Sequence, residues 1–345
     1  MMPTASQFTV RIEHPIDYAS SLEMFRRSGD DLLDRWDGEV LVRTITLGGR
    51  PIAYACTFEF AGDALDVRVT AEDSRARGEL ERLVQSMFVL PPADFAGLRA
   101  HDRVIAALDA CYPAVRSVRH SNLFVALLRC ITAQQVNLRW AATCRRRLAE
   151  AFGRMHSVGG RVVYSLDPAR IATLEISDIR VLQITNSKSE YIINVARIVA
   201  HAGLTMEMLE RLSDDEVIAR LTAIRGIGVW TAEWILARSL GRARVVAGDL
   251  GVRKAVGIAY FGGGAPPSTG RTDGIAPSAA DVRRATAHWG DSAAVAQALM
   301  LHALAEKSLA EVVATAGGTS APPATTIPIA PKSGRNSLSA SRRKP

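Results

Sequence analysis

The sequence predicts two unlike parts: a small α+β region at the N-terminus and a long, mostly α-helical region after it. Three observations carry that expectation. Residues 1 to about 92 alternate strand and helix patterns, with turn dipeptides between them. Pro91-Pro92 then marks a break. From 93 to about 315 the apolar residues recur almost throughout at helical spacing. A chain of 345 residues is long enough for two or three such units and a sizeable core.

In the first part, Phe8 to Ile12, Glu39 to Thr46, Ile52 to Phe60 and Leu65 to Thr70 read as strands, with Gly48-Gly49 and Gly62-Asp63 as turns. Tyr18 to Arg27 and Ser74 to Phe88 read as helices; Leu80, Leu83, Val84 and Met87 share one face of the second. No catalytic motif stands out here, and packing is the expected role. In the second part, Asn122 to Thr132 is apolar enough to lie in a helical core. It ends at Ala133-Gln134-Gln135-Val136-Asn137, a polar turn before a helix reaching about Phe152. The arginines of that helix, 139, 145, 146 and 147, read as a solvated face. Asn186 to about Ala202 is a further helix, with Ser187 as expected N-cap and Glu190 completing a capping box. Phe261 to Ser278 is rich in Gly, Pro, Ser and Thr and reads as a long loop. A last helical region covers about 279 to 315. Residues 316 to 345 are mostly Pro, Ser, Thr and Ala with five cations and no acid, so a disordered basic tail is expected.

The chain is organised around Leu221 to Gly257. An amphipathic helix from Asp214 to Ala223 leads into Ile224-Arg225-Gly226-Ile227-Gly228, and another helix follows from about Val229 to Leu240. Two glycines within five residues permit a tight hairpin. Such a hairpin presents unpaired N–H groups at a helix start, a ready place for one phosphate oxygen. About twenty residues on, Asp249 stands at the entry of the next helix, before Leu250-Gly251. By position and type it reads as an N-cap. It also has the charge to stabilise a cationic intermediate. Trp230 and Trp234 are one helical turn apart and share a face, which most often means core.

Gly226-Ile227-Gly228, Trp230-Thr231-Ala232 and Asp249-Leu250-Gly251 together resemble the helix-hairpin-helix DNA glycosylases, and within them the 3-methyladenine DNA glycosylase II family. The resemblance covers about residues 8 to 312, with its specific motifs in 121 to 257. It implies a curved antiparallel sheet with helices for residues 1–92, and two helical subdomains around an active-site cleft for 93–315. It implies Asp249 as the catalytic carboxylate, with Trp230, Trp234 and Leu301 around the base pocket. Members often carry a further tryptophan where Leu301, or His302 at a one-residue shift, falls here. Gln134 and Gln135 match the turn that pushes a side chain into the duplex, Gln135 being the wedge. Gly226, Ile227, Gly228 and Lys188 match positions near the DNA backbone. Strand-cutting relatives carry a Schiff-base lysine where this chain has Trp230, so the expected enzyme is monofunctional and leaves an abasic site. Related enzymes often end in four clustered cysteines holding an iron–sulfur cluster. The four here, Cys56, Cys111, Cys130 and Cys144, have no such spacing, so no cluster, metal or other cofactor is expected.

The expected partner is double-stranded DNA containing damaged bases, and a monomer is expected. Net charge is +7, but five cations belong to the tail, so the body carries only +2 and charge alone argues weakly for DNA. No apolar run approaches a membrane span and the N-terminus lacks signal-peptide order, so a cytoplasmic location is expected. The expected function is excision of alkylated bases such as 3-methyladenine and 7-methylguanine. The alternatives are an oxidised-base glycosylase of the same fold, or a non-catalytic helix-hairpin-helix protein that binds DNA or senses damage.

Overall fold

The computed structural model describes residues 5–262 and 276–317. Most of the expected loop 261–278, and all but the first two residues of the expected tail, lie outside the described residues. Strands β1 (Ser6–Ile12), β2 (Arg35–Trp36), β3 (Leu41–Leu47), β4 (Arg50–Ala61) and β5 (Ala64–Ala71) form one antiparallel sheet in the order β1-β5-β4-β3-β2. Alternation explains which face is buried. Phe8, Val10 and Ile12 lie opposite Val69, Val67 and Leu65 in register, and all six are buried. The helix Arg77–Gln85 presses Leu80 and Val84 onto this face. The turn between β3 and β4 puts both Gly48 and Gly49 at positive φ, +55° and +75°, as a two-residue hairpin requires.

The region after Pro92 is helical as expected, with one exception. Strands β6 (Arg154–Val158) and β7 (Arg161–Ser165) form a second antiparallel hairpin around Gly159-Gly160. Its Val158 and Val163 pack against Val40, Val42, Ala53 and Ala55 of the N-terminal sheet. The hairpin thus covers part of the face that the helices of residues 1–92 leave bare.

Two helical cores follow. One surrounds the helix Leu123–Ala133, in which nine of eleven residues are buried, so this helix has no solvent face at all. Helices Leu138–Phe152, Asn186–His201, Asp214–Thr222 and Val229–Arg238 pack around it. The other core joins Phe95–His101, Arg103–Cys111, Leu250–Tyr260, Ala279–Ala285, Ala293–Ala305 and Leu309–Thr315. Cys130 and Cys144 are both buried, as expected, and Cys144 belongs to the first core. Among the described residues no helix is long and apolar enough to cross a membrane.

Between sheet and helices lies a buried ionic cluster. The Asp34 carboxylate accepts from Arg43 Nε at 2.7 Å and from Arg129 at 2.8 Å, while Asp31 accepts from Arg129 and Arg145, each at 2.7 Å. Burial acts to raise both carboxyl pKa values, but the guanidinium groups overcome it, holding Asp31 below and Asp34 well below the usual range. Arg145 therefore does not belong to a solvated face. It is 6% exposed, because its charge is neutralised by an aspartate 114 residues earlier. Arg146, by contrast, is exposed and pairs with Glu150.

His120 sits at the edge of this cluster, 3.6 Å from Asp34, with its ring buried. Burial lowers its pKa from 6.5 to about 4. Between those values the unfolded chain takes up a proton that the folded chain refuses. Stability that is complete above pH 6.5 is therefore lost as pH falls toward 4, by on the order of 3 kcal/mol. Urea unfolding at pH 7 and pH 4.5 should show a clearly smaller loss for His120→Gln than for the native chain. Equal losses in the two proteins would exclude His120 as the source.

Candidate active site and nucleic-acid interface

The hairpin forms where the sequence places it. Ser213 and Glu216 build a capping box at the start of Asp214–Thr222, and Ile224–Gly228 then reverses the chain. Gly226 has φ +92°, and a Cβ there would lie 2.3 Å from Cγ of Tyr191. Both facts restrict the position to glycine. Gly228 is the N-cap of Val229–Arg238 and has no side chain to take the helix's first N–H groups. Ile227 is buried and anchors the turn, so it faces the core rather than solvent.

Asp249 caps the helix Leu250–Tyr260: its Oδ1 accepts the Val252 N–H at 3.0 Å. Its Oδ2 accepts the Trp230 indole N–H at 3.2 Å. The carboxylate is thus fixed at both oxygens and stays half-buried. A Cβ on Gly251 would lie 3.0 Å from Asp249 Oδ1 and 3.3 Å from a Leu301 methyl. Asp249, Trp230 and Leu301 are therefore brought to one place by Gly251 and by the indole bond. Trp234 lies one turn along, half-buried against the helical core, with its ring tilted at 35° over His120 at 5.0 Å. The two tryptophans thus differ: one orients the acid, the other is seated on a buried histidine.

The polar turn after Leu123–Ala133 is tightly held. Gln135 is exposed with φ +56°. Gln134 instead turns inward, and its Nε2 donates to the Gly226 carbonyl at 2.9 Å. Lys188 Nζ donates to the Thr132 carbonyl at 3.0 Å, and burial lowers its pKa. Both side chains therefore join the turn to the hairpin and to the helix Asn186–His201. The N-cap of that helix is Thr185, not Ser187: Thr185 Oγ1 accepts the Lys188 N–H, and Glu190 pairs with Arg225 of the hairpin at 2.6 Å.

Sequence reasoning missed four exposed apolar side chains around these parts. Val136 and Leu138 flank the turn, Val229 follows the hairpin, and Leu250 follows Asp249; Leu138 is 62% and Leu250 57% exposed. Each neighbours a motif residue, which was the available signal. It also missed Glu233, fully buried on the helix that carries both tryptophans and bonded to Arg244 and Arg283. Among the described residues no cluster of His, Cys, Asp or Glu is arranged to hold a metal.

The model of the HhH-GPD superfamily base excision DNA repair proteins matches residues 128–274. A DNA-3-methyladenine glycosylase of Bacillus subtilis is 36% identical over 127 residues, 36% of this chain and 42% of that one. DNA-3-methyladenine glycosylase 1 of Schizosaccharomyces pombe is 29% identical over 178 residues, 51% of this chain and 74% of that one. The chain spans less than half the length of the Bacillus subtilis relatives it matches. The solved 3-methyladenine DNA-glycosylase from Archaeoglobus fulgidus has a TM-score of 0.72 at 23% identity, over 86% of this chain and 98% of that one. That likeness covers the N-terminal sheet as well as the helical cores and establishes the fold. The hairpin at Gly226 and the capped Asp249 both lie within the stretch that resembles the HhH-GPD superfamily of base excision DNA repair proteins.

Proposed function

We propose that this chain is a monofunctional DNA glycosylase that extrudes and excises alkylated bases from duplex DNA. The observation that carries the reading is Asp249, a half-buried carboxylate fixed beside Trp230 at a helix start, downstream of a hairpin suited to a phosphate. Breaking a base–sugar bond leaves positive charge on the sugar. A carboxylate held in place needs no reorganisation to stabilise that charge, and it can orient or accept a proton from the attacking water. The Val252 and Trp230 bonds hold Asp249 in one orientation while leaving lone pairs on both oxygens.

The hairpin N–H groups at Gly228 would take a backbone phosphate, and Gln135 would fill the space left by the extruded base. Val136 and Leu138 would meet the duplex beside it. Bases methylated at ring nitrogens are cationic, and an indole face attracts a cation by about 0.5–2 kcal/mol. Trp234 offers such a face, and Leu301 gives an apolar wall. Substrates of this kind, including 3-methyladenine and 7-methylguanine, also leave readily, so the pocket needs only modest selectivity. The names of the relatives mention 3-methyladenine.

Base release from a panel of duplexes, each with one defined lesion, tests the proposal. Cationic methylated bases should be released and the strand left intact with an abasic site. Trp230 has no amine to attack the sugar, so borohydride should trap no enzyme–DNA adduct. A trapped adduct would refute the monofunctional mechanism; no release from any lesion would refute the glycosylase reading.

A further inference from the structure

Resting on the glycosylase reading, we propose that the buried ionic cluster is a positioning device: Asp31, through Arg145 and Thr132, fixes the turn that carries Gln135. Asp31 is 2% exposed, so it acts on extrusion without meeting DNA. This gives the N-terminal region a part in the reaction as well as in packing.

The geometry is that of a staple. The turn joins Leu123–Ala133 to Leu138–Phe152. Arg129 belongs to the first helix and Arg145 to the second, and both bond to the same oxygen, Asp31 Oδ2, at 2.7 Å. Asp31 itself cannot swing, because its Oδ1 accepts the Leu33 N–H at 3.1 Å. Arg145 then reaches forward from the staple, and its NH1 donates to Thr132 Oγ1 at 3.0 Å. Thr132 is fully buried, lies just before the turn, and also receives Lys188 on its carbonyl. The planar guanidinium transmits orientation from Asp31 to Thr132, since its nitrogens are fixed relative to one another.

The device answers a mechanical need. Gln135 holds a left-handed conformation, which a non-glycine residue keeps only when its surroundings enforce it. A wedge must also push against base stacking. A turn free to recoil would yield to the stack, whereas one tied to two stapled helices would not. Stability alone is a poor explanation, because buried ion pairs replaced by apolar residues often leave a protein no less stable.

The experiment uses Thr132→Val, which cuts the last link and leaves Asp31, Arg129 and Arg145 in place, with Thr132→Ser as the variant that keeps the hydroxyl. The probe is a duplex with 7-methylguanine paired to cytosine and 2-aminopurine beside it, whose fluorescence rises on unstacking. A second duplex carries the same lesion opposite a mismatched base. Thr132→Val should lower single-turnover base release and the fluorescence rise about tenfold on the paired duplex, as expected for loss of one charge-assisted hydrogen bond. The mismatched duplex should be nearly unaffected, and Thr132→Ser should behave as native. Added to Gln135→Ala, Thr132→Val should cause no further loss, because both act through one step. Equal losses on the two duplexes, a full additional loss in the double variant, or native behaviour of Thr132→Val would each overturn the proposal. If the native protein raises fluorescence but releases no base, the glycosylase reading fails and the positioning claim is still decided by fluorescence.

Discussion

Asp249→Asn should lower single-turnover base release by about 10²–10³ while the protein stays folded. The substitution removes the full charge facing the sugar and the base for water. Its effect on structure follows from the two bonds described above. An asparagine oxygen can accept the Val252 N–H, since asparagine caps helices as well as aspartate does. Its amide nitrogen then faces the Trp230 indole N–H, donor to donor, where the carboxylate had accepted. Thermal melting should therefore show a small loss, on the order of 1 kcal/mol, from the broken indole bond. The rate loss should be smallest for lesions whose base–sugar bond is already weak. DNA affinity should hold or rise, because a negative charge near phosphate is gone. Near-native base release by a folded Asp249→Asn protein would remove Asp249 from the chemistry.

Gly226→Ala is expected to have the largest effect on stability. The residue needs φ +92°, which costs an alanine about 1–2 kcal/mol. Its methyl would also enter the Tyr191 ring, with ring carbons at 2.3 and 2.6 Å. Either the ring or the hairpin must move, an overpacking cost of about 1–3 kcal/mol. The Gly226 carbonyl holds Gln134, so displacement of the hairpin also disturbs the neighbouring turn. Denaturant unfolding should thus report a total loss of about 2–5 kcal/mol. Binding to undamaged duplex should weaken at the same time. Adding Tyr191→Ala should recover the overpacking share and leave the backbone share. A Gly226→Ala protein of native stability and affinity would contradict this account of the hairpin.

The course of the fold is legible in the sequence wherever one face is buried. Alternation in Phe8 to Ile12 and Leu65 to Thr70 marks the strands, and the apolar run at Asn122 to Thr132 marks the central helix. The hairpin at Gly226 and the cap at Asp249 are legible because each depends on a local backbone geometry. The misses share a different cause. Arg145 shows only a charge on a helix, and nothing nearby reveals that Asp31 waits to neutralise it. Ser187 and Glu190 have the spacing of a capping box, yet Thr185, two residues earlier, captures the helix start and Glu190 is drawn to Arg225. The β6–β7 hairpin is signalled by Gly159-Gly160 between β-branched residues, but short strands inside a helical region carry little periodic weight. At the site, the resemblance supplies Asp249, Trp230, Trp234 and Leu301. The bond between Trp230 and Asp249 is a tertiary fact that spacing does not contain.

The ionic cluster also bears on where the chain can be cut. Pro91-Pro92 marks a break in the sequence pattern, and a fragment beginning just after it would keep every motif of the hairpin and of Asp249. It would also keep Arg129 and Arg145 in the interior and lose both aspartates that neutralise them. Isolated buried charges are far more costly than paired ones, so such a fragment would have to open that core to water. Supplying residues 1–92 as a separate polypeptide should restore the missing carboxylates. The two pieces are thus suited to a split protein whose reassembly re-pairs charges sealed from solvent, and hence is little weakened by salt.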